Sequence, residues 1–323
     1  MNKYFSSATL LALFFTLPFL ASCEKKIEYP LRIASSPWPG YEPLYLAREI
    51  GYLPPAQANI YELPSADITL ESFRNGSADI ATLTLDETLE LLQNGIKLRV
   101  LLVMDVSNGA DAVMAKPQVK TPADLKGRRI AVLNIPLGVY MLSRLLEAAK
   151  LERGDVQVIH SAETRHEDMY RKGEADAFIT FDPVKSQLAN LGAHIIFDSS
   201  RIPNEIFDLM VVREDVYLTR RSEVCNVGRQ WYRTLEYMQQ EPDTSAAVIA
   251  KRLGVSAAEY LVMKNGIKTP TLQENLQLVS GDTPGIVPPA GKLNEVMIRE
   301  GQLKRFIDVT AALDSQLASC LAV

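Results

Sequence analysis

The chain has 323 residues, 47% apolar and 23% charged, with 34 Lys and Arg against 39 Asp and Glu. That is globular composition, enough for one large domain or two smaller ones, and it excludes disordered, collagen-like, coiled-coil and disulfide-scaffold classes. A net charge of −5 with no basic run leaves no footprint for nucleic acid.

Lys3 is the only charge in the first 22 residues and precedes the apolar run 10–20, which ends in small residues. This is the layout of a secretory signal, too short to span a membrane and broken by Pro18. Leu20-Ala21-Ser22-Cys23 resembles a bacterial lipobox. Residues 1–22 are therefore expected to be a cleaved signal, Cys23 the lipidated first residue, and residues 23–29 a short tether. An acyl anchor of this kind holds a protein at the periplasmic or outer face of a bacterial membrane without spanning it.

Strands are predicted at Leu31–Ser35, Ala58–Leu63, Ile80–Thr84, Arg129–Leu133, Gln157–His160 and Ala177–Phe181, with helices between them at Pro43–Ile50 and Tyr140–Lys150. Arg32-Ile33-Ala34 recurs as Arg129-Ile130-Ala131, Pro39 as Pro136, and Gly76-x-Ala78-Asp79 as Gly173-x-Ala175-Asp176, all by one shift of 97 (from 32 to 129). Strand–helix–strand alternation argues for parallel sheets with right-handed crossovers, so the shift predicts two related α/β lobes. Beyond them, Arg221–Gln240 and Val309–Ala322 read as helices.

Ligands of open α/β sheets bind beyond the carboxyl ends of the strands. Those positions hold Ser35 to Tyr41, Thr82 to Asp86, Asn134 to Tyr140 and Thr180 to Pro183, small polar and aromatic residues without Lys or Arg. Trp38 sits in a Pro-flanked loop, where it serves either packing or a ligand. Asp86 and Asp182 each precede a helical pattern and can equally be N-caps, and Asp105 with Ser107 can equally mark a turn.

Trp38-Pro39-Gly40-Tyr41-Glu42-Pro43 with Ala47 and Gly51-Tyr52, then Gly76-Ser77-Ala78-Asp79, Asp105 to Asp111, Ala123 to Ala131 and Gly173 to Ala177, resemble in order the nitrate/sulfonate/taurine-type (NitT/TauT, thiamine-pyrimidine-synthase-like) substrate-binding proteins of ABC importers. The resemblance implies an α/β, two-lobed type 2 periplasmic-binding fold: lobe 1 from residues 30–111 and 212–323, lobe 2 from 112–211. It implies capture of a small molecule by hinge closure, delivery to a permease and its ATPase, no cofactor and no metal, in a protein expected to be a monomer. Family contacts carried onto matching positions are Ser36, Trp38, Pro39, Tyr41, Thr84, Asp105, Ser107, Gly138, Tyr140 and Asp182. Acidic rather than basic cleft candidates favour a neutral, pyrimidine-like or amine-bearing ligand over the sulfonate, taurine or nitrate of the resemblance. A ligand-sensing lipoprotein that feeds a membrane signalling partner is the alternative. His160, His166 and His194 lack metal-ligand spacing and the usual hydrolase motifs are absent, so no enzyme is expected. Cys225 and Cys320 either pair or remain buried thiols, and the resemblance places both on one lobe.

Overall fold

A computed structural model describes Met1, residues 29–314 and residues 316–321. The expected signal, Cys23 and most of the tether lie outside the described residues. In chain order the elements are β1 (Leu31–Ser35), α1 (Glu42–Glu49), β2 (Ala58–Glu62), α2 (Ala66–Arg74), β3 (Ile80–Thr84), α3 (Leu85–Gln93), β4 (Leu98–Ser107) and β5 (Ala112–Ala115). Then come β6 (Arg129–Leu133), α4 (Pro136–Ala149), β7 (Gln157–Ser161), α5 (His166–Lys172), β8 (Ala177–Thr180), α6 (Val184–Asn190), β9 (His194–Asp198) and β10 (Phe207–Arg213). The remainder is α7 (Glu214–Thr219), α8 (Arg221–Gln240), α9 (Pro242–Leu253), α10 (Ala257–Lys264), β11 (Ile267–Lys268), α11 (Leu272–Val279), α12 (Val287–Arg299) and α13 (Leu317–Leu321).

The strands form two sheets, β11-β4-β10-β3-β1-β2 and β7-β6-β8-β5-β9. The repeat seen in the sequence is a repeat of register. Ile33 faces Ile80 and Ala34 faces Ala81 in the first sheet, as Ile130 faces Ala177 and Ala131 faces Phe178 in the second. The recurring Arg and Asp have one job in both lobes. Asp79 accepts from the backbone N and Nε of Arg32 at 2.9 and 3.1 Å, and Asp176 accepts from the same atoms of Arg129 at 3.0 and 3.2 Å. Each pair ties the start of a central strand to the start of its parallel neighbour, where a crossover leaves a backbone N–H unpaired.

The chain passes between lobes twice. β4 ends in the first sheet and β5 begins the second, while β9 ends in the second and β10 lies antiparallel to β3 and β4 in the first. β10 enters the first sheet from Phe207, ahead of the expected boundary at residue 212. Strands β3, β5 and β8 are buried along their whole length, as central strands covered by helices on both faces must be. At the short β11 edge, the amide of Asn275 stands in for a strand, bonding the N and O of Val103 at 3.0 and 2.5 Å.

Among the helices from α7 onward, α8 and α9 pack on α1 and α11 on β4 of the first lobe, while α12 packs on α3 of the first and α4 of the second. Glu42, fully buried at the head of α1, receives Arg252 Nε from the end of α9 at 2.7 Å. Burial pushes the Glu42 carboxyl up to about 7 against the opposing pull of that guanidinium. The helix expected over 309–322 is instead a short 3-10 turn, Val309–Ala312, and the separate α13. Asp308 takes the N–H of Thr310 and Asp314 that of Gln316, at 2.9 and 2.8 Å, and these local bonds compete with a continuous helix. α13 is joined to α8 by a disulfide between Cys225 and Cys320, Cα to Cα 5.0 Å. No described helix is long and apolar enough to cross a membrane.

Candidate functional site

The carboxyl ends of β1 and β3 face those of β6 and β8 across the gap between lobes. After β1 the chain makes a 3-10 turn, Pro39–Tyr41, with Pro at its first position, where the missing N–H costs nothing. This turn sends two aromatic side chains inward onto two carboxyls. Trp38 Nε1 donates to Asp105 Oδ2 at 3.0 Å, and the Tyr41 hydroxyl donates to Asp208 Oδ1. Asp105 and Asp208 are register partners on β4 and β10. Burial pushes Asp105 up to about 7 and Asp208 well above the ordinary carboxylate range, the latter helped by the charge of Asp105. Gly40 is required between the aromatics, because a Cβ there would lie 1.8 Å from Asp105 Oδ2 and 2.5 Å from Trp38 Nε1.

A cavity of about 30 Å³, the space of one water, remains between the lobes. Ser36, Trp38, Tyr41, Ala66, Thr82, Thr84 and Glu87 line it from the first lobe, Ile135, Leu137 and Phe181 from the second, and Asp111 and Asp208 from the two crossings. Phe181 packs edge-on against Trp38 with ring centroids 5.6 Å apart. No Lys or Arg is among the described residues that line it. Glu87 Oε2 accepts from Thr84 N at 2.8 Å, but Glu87 Oε1 and Asp111 Oδ2 are buried with no hydrogen-bond partner among the described residues. Burial raises both carboxyls, Asp111 to about 6.

The lobes touch around this cavity. Glu163 of the second lobe accepts from Ala66 N, in the first turn of α2, at 3.1 Å. Glu205, on the return crossing, accepts from Tyr140 Oη at 2.5 Å, from Arg144 Nε at 2.9 Å and from Lys292 on α12.

The structure divides the ten expected contacts. Ser36, Trp38, Tyr41 and Thr84 line the cavity, while Asp105 stands behind Trp38. Pro39 faces the opposite side of the turn. Ser107 Oγ pairs with Ser199 Oγ at 2.7 Å at the crossing, and Tyr140 is engaged with Glu205. Asp105 and Ser107 lie within β4, not in a turn. Asp182 serves the capping role: its Oδ1 takes the N and Oγ of Ser186 at 3.1 and 2.6 Å, and Lys185 pairs with it at 2.9 Å. Asp86 is not the cap of α3: the N-cap is Thr84, whose backbone N–H is bonded by Glu87 Oε2. Gly138 allows α4 to approach β6, since its Cβ would meet Leu133 O at 2.5 Å. Gly138→Ala should therefore cost about 2 kcal/mol in denaturant unfolding, and a loss under about 0.5 kcal/mol would contradict that packing role.

Glu87, Asp111 and Asp208 were not among the expected contacts. Glu87 lies inside the helical pattern that follows Asp86, where nothing in the sequence sets it apart from its neighbours. Asp111 and Asp208 stand at corresponding places in the repeat, each just before or at the start of a crossing strand, and that equivalence was the available signal. His166 is fully buried, bonded to Ser161 Oγ at 3.0 Å and pushed by burial down to about 4. No cluster of three or more metal-ligating side chains occurs among the described residues.

Solved structures with the same fold include the following three. The alkanesulfonate-binding protein SsuA from Xanthomonas axonopodis pv. citri, bound to MOPS, is 18% identical with a TM-score of 0.73, covering 88% of this chain and 98% of its own. The periplasmic nitrate-binding protein NrtA from Synechocystis PCC 6803 is 15% identical at TM-score 0.71, covering 91% and 89%. The desulfurization enzyme DSZB is 16% identical at TM-score 0.65, covering 90% and 99%. No curated protein matches the chain. The NMT1/THI5 like family model matches residues 38–245, from the Trp38 turn through both lobes into α9, and the chain belongs to that family.

Proposed function

We propose that the chain is the substrate-binding component of an ABC importer and that its lobes close on a small molecule carrying an amine or other cationic donor beside an aromatic or apolar face. The observation that carries this reading is the pair of partnerless buried oxygens, Glu87 Oε1 and Asp111 Oδ2, beside Trp38, Tyr41 and Phe181. A cationic donor supplies the hydrogen bond that such an oxygen lacks, and an aromatic body stacks on the rings. A sulfonate or nitrate would face the carboxyls of Glu87, Asp111 and Asp208 and would need all of them protonated.

A cavity the size of one water admits no such ligand without opening, so entry and release follow hinge motion about the two crossings. Residues 1–22 are read as the export signal and Cys23 as the lipid-anchored first residue, which holds the protein beside its permease and ATPase. Contact of Ser36, Trp38, Tyr41 and Thr84 with the ligand belongs to the same proposal.

Calorimetry of the mature protein against taurine, alkanesulfonates, nitrate, hydroxymethylpyrimidine and small amines tests it. Amine-bearing compounds or the pyrimidine should bind, and Glu87→Gln should weaken them by about tenfold or more, the worth of one charge-assisted bond. Tight taurine or nitrate binding that survives Glu87→Gln would overturn the reading.

A further inference from the structure

A cavity larger than the one between the lobes lies away from that gap. It measures about 860 Å³, within the range of small-molecule sites, and is lined only by residues of the first lobe. Its near wall is the outer side of the Pro39–Gly40 turn, whose inner side carries Trp38 and Tyr41 to the inter-lobe cavity. The floor is α8, through Tyr232, Leu235 and Met238, and the far side is the segment Ile267 to Leu272.

Two features mark it as more than a surface hollow. Tyr232 and Gln230 line it with buried polar atoms, the tyrosine hydroxyl and the glutamine Oε1, that have no hydrogen-bond partner among the described residues. Tyr232 is only 6% exposed, and an unmet donor at that burial is costly. The second feature is charge. Arg229, Arg233 and Lys264 stand around it against the one carboxyl of Glu236 among the described lining residues. Arg229 is held by the Cys320 carbonyl at 2.8 Å and Arg233 lies 3.8 Å over the Tyr52 ring, and neither forms an ion pair with a carboxylate among the described residues. Lys264 is exposed and has no ion-pair partner among the described residues.

We propose that this cavity is a second binding site, for an amphipathic small-molecule anion with one acidic head and an apolar body. The apolar floor takes the body, the basic rim takes the head, and the Tyr232 hydroxyl gains an acceptor. Its electrostatic sign is opposite to that of the inter-lobe cavity, and because it lies within one lobe it does not depend on hinge closure.

Sodium octanoate is the probe, with 1-octanol as the neutral control of equal length, titrated calorimetrically into the wild type and three variants. Lys264→Glu reverses an exposed rim charge and Gln239→Trp fills the cavity from an exposed position, so neither disturbs the core; Glu87→Gln alters only the inter-lobe cavity. Octanoate should bind the wild type and Glu87→Gln alike, and should weaken about tenfold in Lys264→Glu and in Gln239→Trp. The proposal is overturned by no octanoate binding, by octanol binding as tightly, by binding unchanged in both cavity variants, or by binding lost in Glu87→Gln.

Discussion

An amine-bearing ligand will bind between the lobes about tenfold more tightly at pH 8 than at pH 5, and will expel protons as it binds at pH 6. The cause is burial, which raises the carboxyls of Glu87, Asp105, Asp111 and Asp208, Asp111 to about 6 and Asp105 to about 7. In the empty cavity below pH 6, Asp111 holds its proton. A cation favours the ionised carboxylate, so binding must displace that proton, and the penalty fades as pH passes the raised value. One group that titrates near 6 supplies roughly a factor of ten across that interval, and Glu87 adds to it in the same direction. The sign for folding follows from the same shifts. Carboxyls that titrate higher in the folded state than unfolded contribute stability that is intact below about pH 4 and is lost as pH rises through 6 to 7. Stability of the ligand-free protein should therefore decline over that window, and Asp111→Asn should flatten both curves. Calorimetry in two buffers of different ionisation enthalpy reads the proton release. Affinity that falls with pH would point to an anion in the cleft and sink the proposed ligand class.

Removing the Cys225–Cys320 bond is the second large effect. It closes a loop spanning 95 positions between α8 and α13, which restricts the unfolded chain by about 4 to 5 kcal/mol at room temperature in the loop-entropy account. Both cysteines are buried, and Arg229 donates to the Cys320 carbonyl beside the bond. The double variant Cys225→Ala, Cys320→Ala should lose about 4 kcal/mol in guanidinium unfolding while retaining both sheets by circular dichroism. A loss below about 1 kcal/mol would show that the unfolded chain is already confined near α13.

Much of the architecture was legible because it is carried by short-range patterns that recur. The 97-residue shift was visible through Arg32, Asp79, Arg129 and Asp176, and these are the residues that must recur, since each pair satisfies a backbone N–H at the same point of a parallel crossover. The helix expected over Arg221–Gln240 is α8 with those ends. At the carboxyl end, apolar periodicity misled, because Asp308 and Asp314 offer the backbone local partners that a helical pattern does not register.

The lining of the inter-lobe cavity was legible by loop and less so by side chain. Trp38 and Tyr41 were placed by their turn, which is local, and Gly138 at the junction of β6 and α4, where only the folded chain shows that a Cβ would meet the backbone of Leu133. The bonds of Tyr140 to Glu205 and of Ser186 to Asp182 join side chains whose partnership the sequence does not mark.

From residue order alone came two related α/β lobes, the acidic character of the loops at the carboxyl ends of their strands, and the family those loops resemble. These rest on periodicity, turn chemistry and repetition, all expressed over a few residues at a time. Only the folded chain decided which carboxyls are left with a free oxygen, that Asp105 and Asp208 stand opposite each other across 103 positions (from 105 to 208), and that the Pro39–Gly40 turn has a cavity on either side. Those are matters of partnership between distant segments: whether a polar atom is free depends on what every neighbouring element brings to it, and no stretch of sequence contains that sum.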